Sequence, residues 1–183
     1  QFTKVILKVS YNRGADLMVC LAAVKAGSRN CPDGIAPTIN TITGLGVSKD
    51  STFMFDGAGS DERDRTSPTD MTTFLRAVTQ QPYGTAFRNG LPILGVDGLA
   101  ATEQKGTPAA GNVQLKNGTR AGVTPDGRGL LTGLTEGGYI KAHSGRQLTF
   151  AVMLRDVPFA TTEEIFAISN EQGTIAAIFQ QGF

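Results

Sequence analysis

Apolar residues along the chain follow two rhythms, helical spacing in the first half and alternation in the second. Leu17, Leu21 and Val24 recur at intervals of four and three, which predicts a helix over about Gly14–Lys25 with these residues on one stripe. Before it, Phe2–Val9 runs or alternates apolar until Ser10-Tyr11-Asn12 interrupts it. Gly27–Gly34 is rich in Ser, Asn, Pro and Gly and reads as loop, and Ile35–Leu45 as a short helix. Thr52–Phe55 has the makings of a buried strand, closing on Asp56-Gly57-Ala58-Gly59. Asp61 to Arg65 is a run of charge, most simply a solvated loop. Ser67-Pro68 then opens a helix with a hydroxyl cap and a proline at its first position, its core face made by Met71, Phe74, Leu75 and Val78.

The second rhythm takes over beyond a short turn of helix at Tyr83–Phe87, an apolar loop at Leu91–Gly98 and a flexible segment at Gly106–Gly111. Val113-Gln114-Leu115 reads as a short strand, Gly127–Thr135 and Gly138–Ala142 as strand pieces. Leu148, Phe150, Val152 and Leu154 alternate through Gln147–Arg155, and Ser144-Gly145 makes a hairpin with the piece before. Thr161-Thr162-Glu163-Glu164 caps a terminal helix whose Ile165, Phe166, Ile168, Ile175, Ile178 and Phe179 would lie on a sheet, with Gly173 a weak point. The order, helices first and then an antiparallel meander with a closing helix, predicts an α+β domain.

Composition narrows the chemistry. A length of 183 residues, 40% hydrophobic and 18% charged, is one globular domain's worth of chain. A net charge of +1 gives no reason to expect nucleic acid as a partner, and no apolar run is long enough for a membrane span. His143 is the only histidine and sits in a turn-like His-Ser-Gly-Arg, which speaks against a histidine zinc site or a Ser-His-Asp triad. No metal or organic cofactor is expected. Cys20 and Cys31 either form a disulfide stapling a helix end to the following loop, which implies an oxidising compartment, or stay as two reduced thiols.

Candidate chemistry concentrates in Lys116-Asn117-Gly118-Thr119. Glycine there lets a substrate backbone lie against the strand, lysine adds charge, and the Thr119 hydroxyl can bind a carboxylate. The N–H after Gly118 can point at a developing oxyanion. The plainer readings are an Asn-Gly turn, an unused glycosylation sequon, or solvated surface. A phosphate loop at Asp56–Gly59 is set aside, because only a fragment of that fingerprint is present and no βαβ unit surrounds it.

Two constellations, Ser10-Tyr11-Asn12 before a helix and Lys116-Asn117-Gly118-Thr119 on a strand, resemble the second and third motifs of penicillin-recognising serine enzymes. Leu7–Leu17, Asp56–Gly59, Ser67-Pro68 and Leu91–Gly98 fall in the same order as in one branch of them. Together they resemble the type-4 penicillin-binding proteins, the D-alanyl-D-alanine carboxypeptidase/endopeptidase family, from about Phe2 to Leu154. The resemblance implies an antiparallel sheet flanked by helices. Residues 1–111 would be mainly a helical lobe and 112–183 the sheet strands and terminal helix. It also implies an extracytoplasmic or periplasmic setting and a peptidoglycan peptide or β-lactam as ligand.

Carried over, Ser10 would relay a proton between Lys116 and the leaving amine, and Asn12 would hold the substrate amide. Lys116 would anchor the terminal carboxylate with Thr119, whose N–H would complete the oxyanion hole, Gly118 would bind the substrate backbone, and the Asn117 amide would stand where the family has a hydroxyl. The family's nucleophile comes from Ser-x-x-Lys, and no serine of this chain has lysine three places on: Ser10 leads to Arg13, Ser28 to Cys31, Ser67 to Asp70. The expectation is therefore a carboxy-terminal half, a partial domain bound to an amino-terminal half that carries the nucleophile. After Asp56–Gly59 the family continues Leu-Ser-Arg, where this chain has Ser60-Asp61-Glu62, so peptide side-chain recognition differs. A non-catalytic cell-wall peptide binder and an esterase or amidase on the same fold are the rival readings.

Overall fold

The computed structural model describes residues 1–183. Helices α1 (Phe2–Val9), α2 (Asn12–Lys25), α3 (Ile35–Gly44), α4 (Pro68–Thr79) and α5 (Gly84–Gly90) precede strands β1 (Val113–Val123), β2 (Gly129–Lys141), β3 (Gln147–Leu154) and β4 (Val157–Phe159). Helix α6 (Thr162–Gly182) closes the chain. The sheet is antiparallel with order β1-β2-β3, and β4 pairs with the first residues of β2.

Alternation along β2 separates two layers. Leu134 and Ile140 face α6, where Leu94, Val113, Leu115, Ile140, Phe150, Ala176 and Ala177 are part of the main core. Tyr139 faces the helical lobe and packs with Leu75 and Leu91, its hydroxyl donating to the Leu75 carbonyl at 2.7 Å. Glycine at 138 holds β1 and β2 together: a Cβ there would lie 2.0 Å from the Gln114 carbonyl oxygen. The two expected strand pieces, Gly127–Thr135 and Gly138–Ala142, are one continuous strand.

Sequence and structure part in several places. Phe2–Val9 is a helix, its inner side made by Ile6 and Leu7. The stripe assigned to α2 lies outward: Leu21 is 52% and Val24 61% exposed, while Gly14, Val19 and Ala23 face in. Small residues win that face because the turn at Cys31–Gly34 packs onto the helix backbone, and Cys20 and Cys31 are bonded there as a disulfide. Thr52–Phe55 is not a buried strand. It makes one bridge, Phe53 to Arg65, and both Phe53 and Phe55 stay exposed, with the Arg63 guanidinium over the Phe55 ring.

Helix α6 begins as the sequence predicts, Thr161 Oγ1 accepting from the Glu164 N–H. Its inner face is different. Gln172, Gly173, Ala176, Ala177 and Gln180 meet the sheet side, whereas Phe166 and Ile178 are 69% and 61% exposed. Close approach to a sheet favours small side chains, so Gly173 is a contact point rather than a weak one. The bulky residues form a second apolar face looking away from the sheet.

Candidate active site

Ser10 sits at the corner between α1 and α2. Its backbone is left-handed (φ 51°, ψ 52°), and the Tyr11 N–H closes back onto the Ile6 carbonyl at 3.1 Å. This is a helix end usually made with glycine; a side chain there costs on the order of 1 kcal/mol. The strain is held by neighbours on both sides. Lys8, two residues earlier, donates to both carboxylate oxygens of Asp97 at 2.6 Å. Asp97 also accepts from the Ile93 N–H at 2.8 Å, and the same loop accepts from β1 through Leu115 N–H to the Pro92 carbonyl, 3.0 Å. The corner bearing Ser10 is thus tied to the strand bearing Lys116.

Lys116 Nζ donates to Ser10 Oγ at 2.8 Å and to the Asn117 carbonyl. No carboxylate faces it, and burial alone pulls its ammonium down to about 8. Ser10, Asn12, Lys116, Asn117 and Gly118 line one cavity of about 340 Å³, whose remaining walls include Leu7, Met71, Phe74 and Phe87. Gly118 also lines a second cavity of about 460 Å³, together with Thr119, Arg120 and Arg155.

β1 is an edge strand, and the Leu115 N–H points outward, away from β2. The two-residue repeat of a strand directs the Asn117 and Thr119 N–H groups to the same open edge. By the same repeat the Lys116 side chain and the bare Cα of Gly118 belong to one face and the Asn117 side chain to the other. The Asn117 amide is not offered to the cleft as the sequence suggested. It donates to Glu103 at 3.3 Å.

The Asp56–Gly59 loop is the fourth piece. The Asp56 carboxylate accepts from the N–H groups of Ala58, Gly59, Ser60 and Asp61, curling the loop tightly. Gly57 then rests on the start of α2: its N–H donates to Asp16 at 3.0 Å, and a Cβ would lie 2.5 Å from the Ala15 carbonyl oxygen. The charged run beyond is less free than a solvated loop, since Arg120 of β1 donates to the Asp61 carbonyl at 2.6 Å.

Residues 1–175 match the model of the D-Ala-D-Ala carboxypeptidase 3 (S13) family. The chain belongs to that family. It is 27% identical over 124 residues to a D-alanyl-D-alanine carboxypeptidase of Actinomadura sp. (strain R39), covering 64% of this chain and 23% of that protein. The penicillin-binding protein 4 of Haemophilus influenzae, solved with a β-lactam, superposes with a TM-score of 0.79 at 18% identity, over 98% of this chain and 41% of that one. An extended-spectrum β-lactamase, TLA-1, superposes at 0.66 and 15% identity, over 98% and 63%. The S13 chain therefore spans less than half the length of the family relatives it matches, and its fold is that of the penicillin-binding proteins and β-lactamases.

The sequence alone gives no role to Lys8, Asp97, Glu103 or Glu136. Nothing in the sequence marks Glu136, which falls between the two expected strand pieces. It is 2% exposed, and burial together with the neighbouring Glu103 pushes its carboxyl up to about 8.

Proposed function

We propose that this chain supplies the second and third motifs of a serine-type D-Ala-D-Ala carboxypeptidase or endopeptidase acting on peptidoglycan peptides. The observation that carries this reading is the Lys116–Ser10 hydrogen bond, made between two distant segments inside one cleft. In the proposed reaction a serine Oγ attacks the carbonyl carbon of the penultimate D-alanine. Its proton passes through Ser10, held by Lys116, to the departing amine as the C–N bond breaks. The Thr119 N–H stabilises the oxyanion from the open edge of β1, with Gly118 leaving room for the substrate backbone. Asn12 holds the substrate amide, and Lys116 and Thr119 attract the terminal carboxylate. Water then hydrolyses the serine ester.

The nucleophile in this proposal belongs to a Ser-x-x-Lys segment of an amino-terminal half, on the same polypeptide or on another. Three features support such a partner. The cavity beside Ser10 and Lys116 has apolar walls that include Leu7, Phe74 and Phe87. β3 is an edge strand with no neighbour beyond it. Apolar stripes on α2 and α6 are exposed. The setting is extracytoplasmic, in keeping with the disulfide.

The test is release of D-alanine from a peptide ending in D-Ala-D-Ala by the intact protein, and its block by penicillin. A second reading, a non-catalytic binder of cell-wall peptide, is favoured by one observation, the engagement of Asn117 with Glu103. Peptide binding without any D-alanine release would select it.

A further inference from the structure

On the α6 side of the sheet, directly behind the Lys116–Thr119 stretch, lies a pair of carboxyl groups that the reaction does not use. Glu136 is the cross-strand partner of Asn117 in the β1–β2 register. The Asn117 amide itself donates to Glu103, so the two carboxyls meet at one residue of β1, and each acts on the other's charge. Both oxygens of Glu136 and Oε2 of Glu103 are buried without a hydrogen-bond partner.

Nothing positive faces the pair. Burial and Glu103 are what act on Glu136, and burial, Glu136 and Asn117 are what act on Glu103. The residue paired with Glu136 on β3 is Val152, and α6 presents Gln172 and Gly173, where a Cβ would come within 3.6 Å of Glu103 Oε2. Lys116, next to Asn117, projects from the opposite face to reach Ser10. Two buried carboxyls in contact with no cation cannot both be ionised, because each raises the cost of charging the other.

We propose that Glu136 and Glu103 hold one proton between them, and that this acid–carboxylate pair is the strut that fixes Asn117 and, through it, the reactive stretch of β1. Glu136 donates to Glu103, Glu103 accepts from Asn117, and the strand is clamped from behind while Lys116 and the Thr119 N–H work in front. Both residues are positioning residues; neither touches the substrate. Loss of the shared proton sets two anions against each other and releases the Asn117 side chain. The catalytic consequence rests on the peptidase reading, whereas the strut itself does not.

The experiment follows carboxyl ¹³C and Asn117 side-chain amide resonances of the intact, isotopically labelled protein from pH 5 to 10. Glu136 is assigned by the signal lost in Glu136→Gln. The expected result is a Glu136 carboxyl that stays protonated to about pH 8, an Asn117 amide that shifts with the same midpoint, and a flat Asn117 profile in Glu136→Gln. A Glu136 signal that titrates below pH 6, or an Asn117 amide flat in the unaltered protein, overturns the proposal.

Penicillin acylation adds the functional arm. At pH 9 the unaltered protein should acylate about tenfold more slowly than Glu136→Gln, which keeps a neutral donor at every pH, while the two match at pH 7. Lys116 titrates in the same range but is common to both proteins and cancels in the ratio. Glu136→Leu, similar in volume but without the donor, should be slow at both pH values. If Leu performs as well as Gln, the carboxyl only fills space and the positioning role is wrong. Complete lack of acylation in all three proteins would sink the peptidase reading, and the resonance data would still decide the strut.

Discussion

Lys116 and Ser10, 106 positions apart in sequence, are joined by a 2.8 Å hydrogen bond in the wall of one cleft. The serine has no base beside it other than this lysine, and the lysine has no carboxylate beside it. A hydroxyl so placed can hand a proton on without ever holding a full charge. Ser10→Ala and Lys116→Ala should each slow penicillin acylation of the intact protein by about 10²–10⁴-fold, the usual worth of a positioned proton-transfer group. Stopped-flow acylation checks this, with far-ultraviolet circular dichroism to show that the fold is kept.

Burial of the Lys116 ammonium also has a stability signature. Its value falls from 10.5 in the open chain to about 8, so the folded state holds the proton less firmly than the unfolded state. The cost of enclosing the charge is therefore present in full below pH 8 and relieved as pH rises toward 10.5, by at most about 3 kcal/mol. Relative to Lys116→Met, the unaltered protein should gain stability across that window. Urea unfolding of both proteins at pH 7, 9 and 10.5 measures the difference.

The hairpin formed by β2 and β3 was legible because Leu148, Phe150, Val152 and Leu154 alternate without interruption, and Thr161 marked the start of α6 because capping is a local property. The pairing of Ser10 with Lys116 came from a family resemblance; spacing alone could not bring together two segments 106 apart. What failed was the assignment of faces. Spacing points the large apolar residues inward, but α2 and α6 pack through Val19, Ala23, Gly173, Ala176 and Ala177, and the larger side chains form other surfaces. Spacing also left the cysteines open, since the contact of α2 with the Cys31–Gly34 turn is tertiary. Glu136 was invisible for a different reason: an acid in a strand reads as solvated unless its neighbours in space are known.

Two glycines of β2 separate register from flexibility. A Cβ at Gly138 would stand 2.0 Å from the Gln114 carbonyl oxygen, whereas a Cβ at Gly133 meets nothing within 4 Å. Gly138→Ala should cost about 3 kcal/mol or more by forcing β1 away from β2, and Gly133→Ala should stay within about 0.5 kcal/mol. Denaturant midpoints of the two variants provide the comparison.

The Cys20–Cys31 bridge closes a short loop, with a separation of 11 residues. Replacing both cysteines with alanine should lower stability by about 2–3 kcal/mol, as for loops of this size. Thermal unfolding with and without reductant tests it: reductant should reproduce the loss in the unaltered protein and leave the double variant unchanged.

The central claim is that this cleft serves an acyl-serine enzyme whose nucleophile lies outside the 183 residues described. Fluorescent penicillin followed by peptide mapping of the labelled site tests it most directly. The account predicts an ester on a serine with lysine three places on, in a segment that copurifies with Ser10 and Lys116. A folded protein that takes no label, or an ester mapped to Ser10 itself, would contradict it.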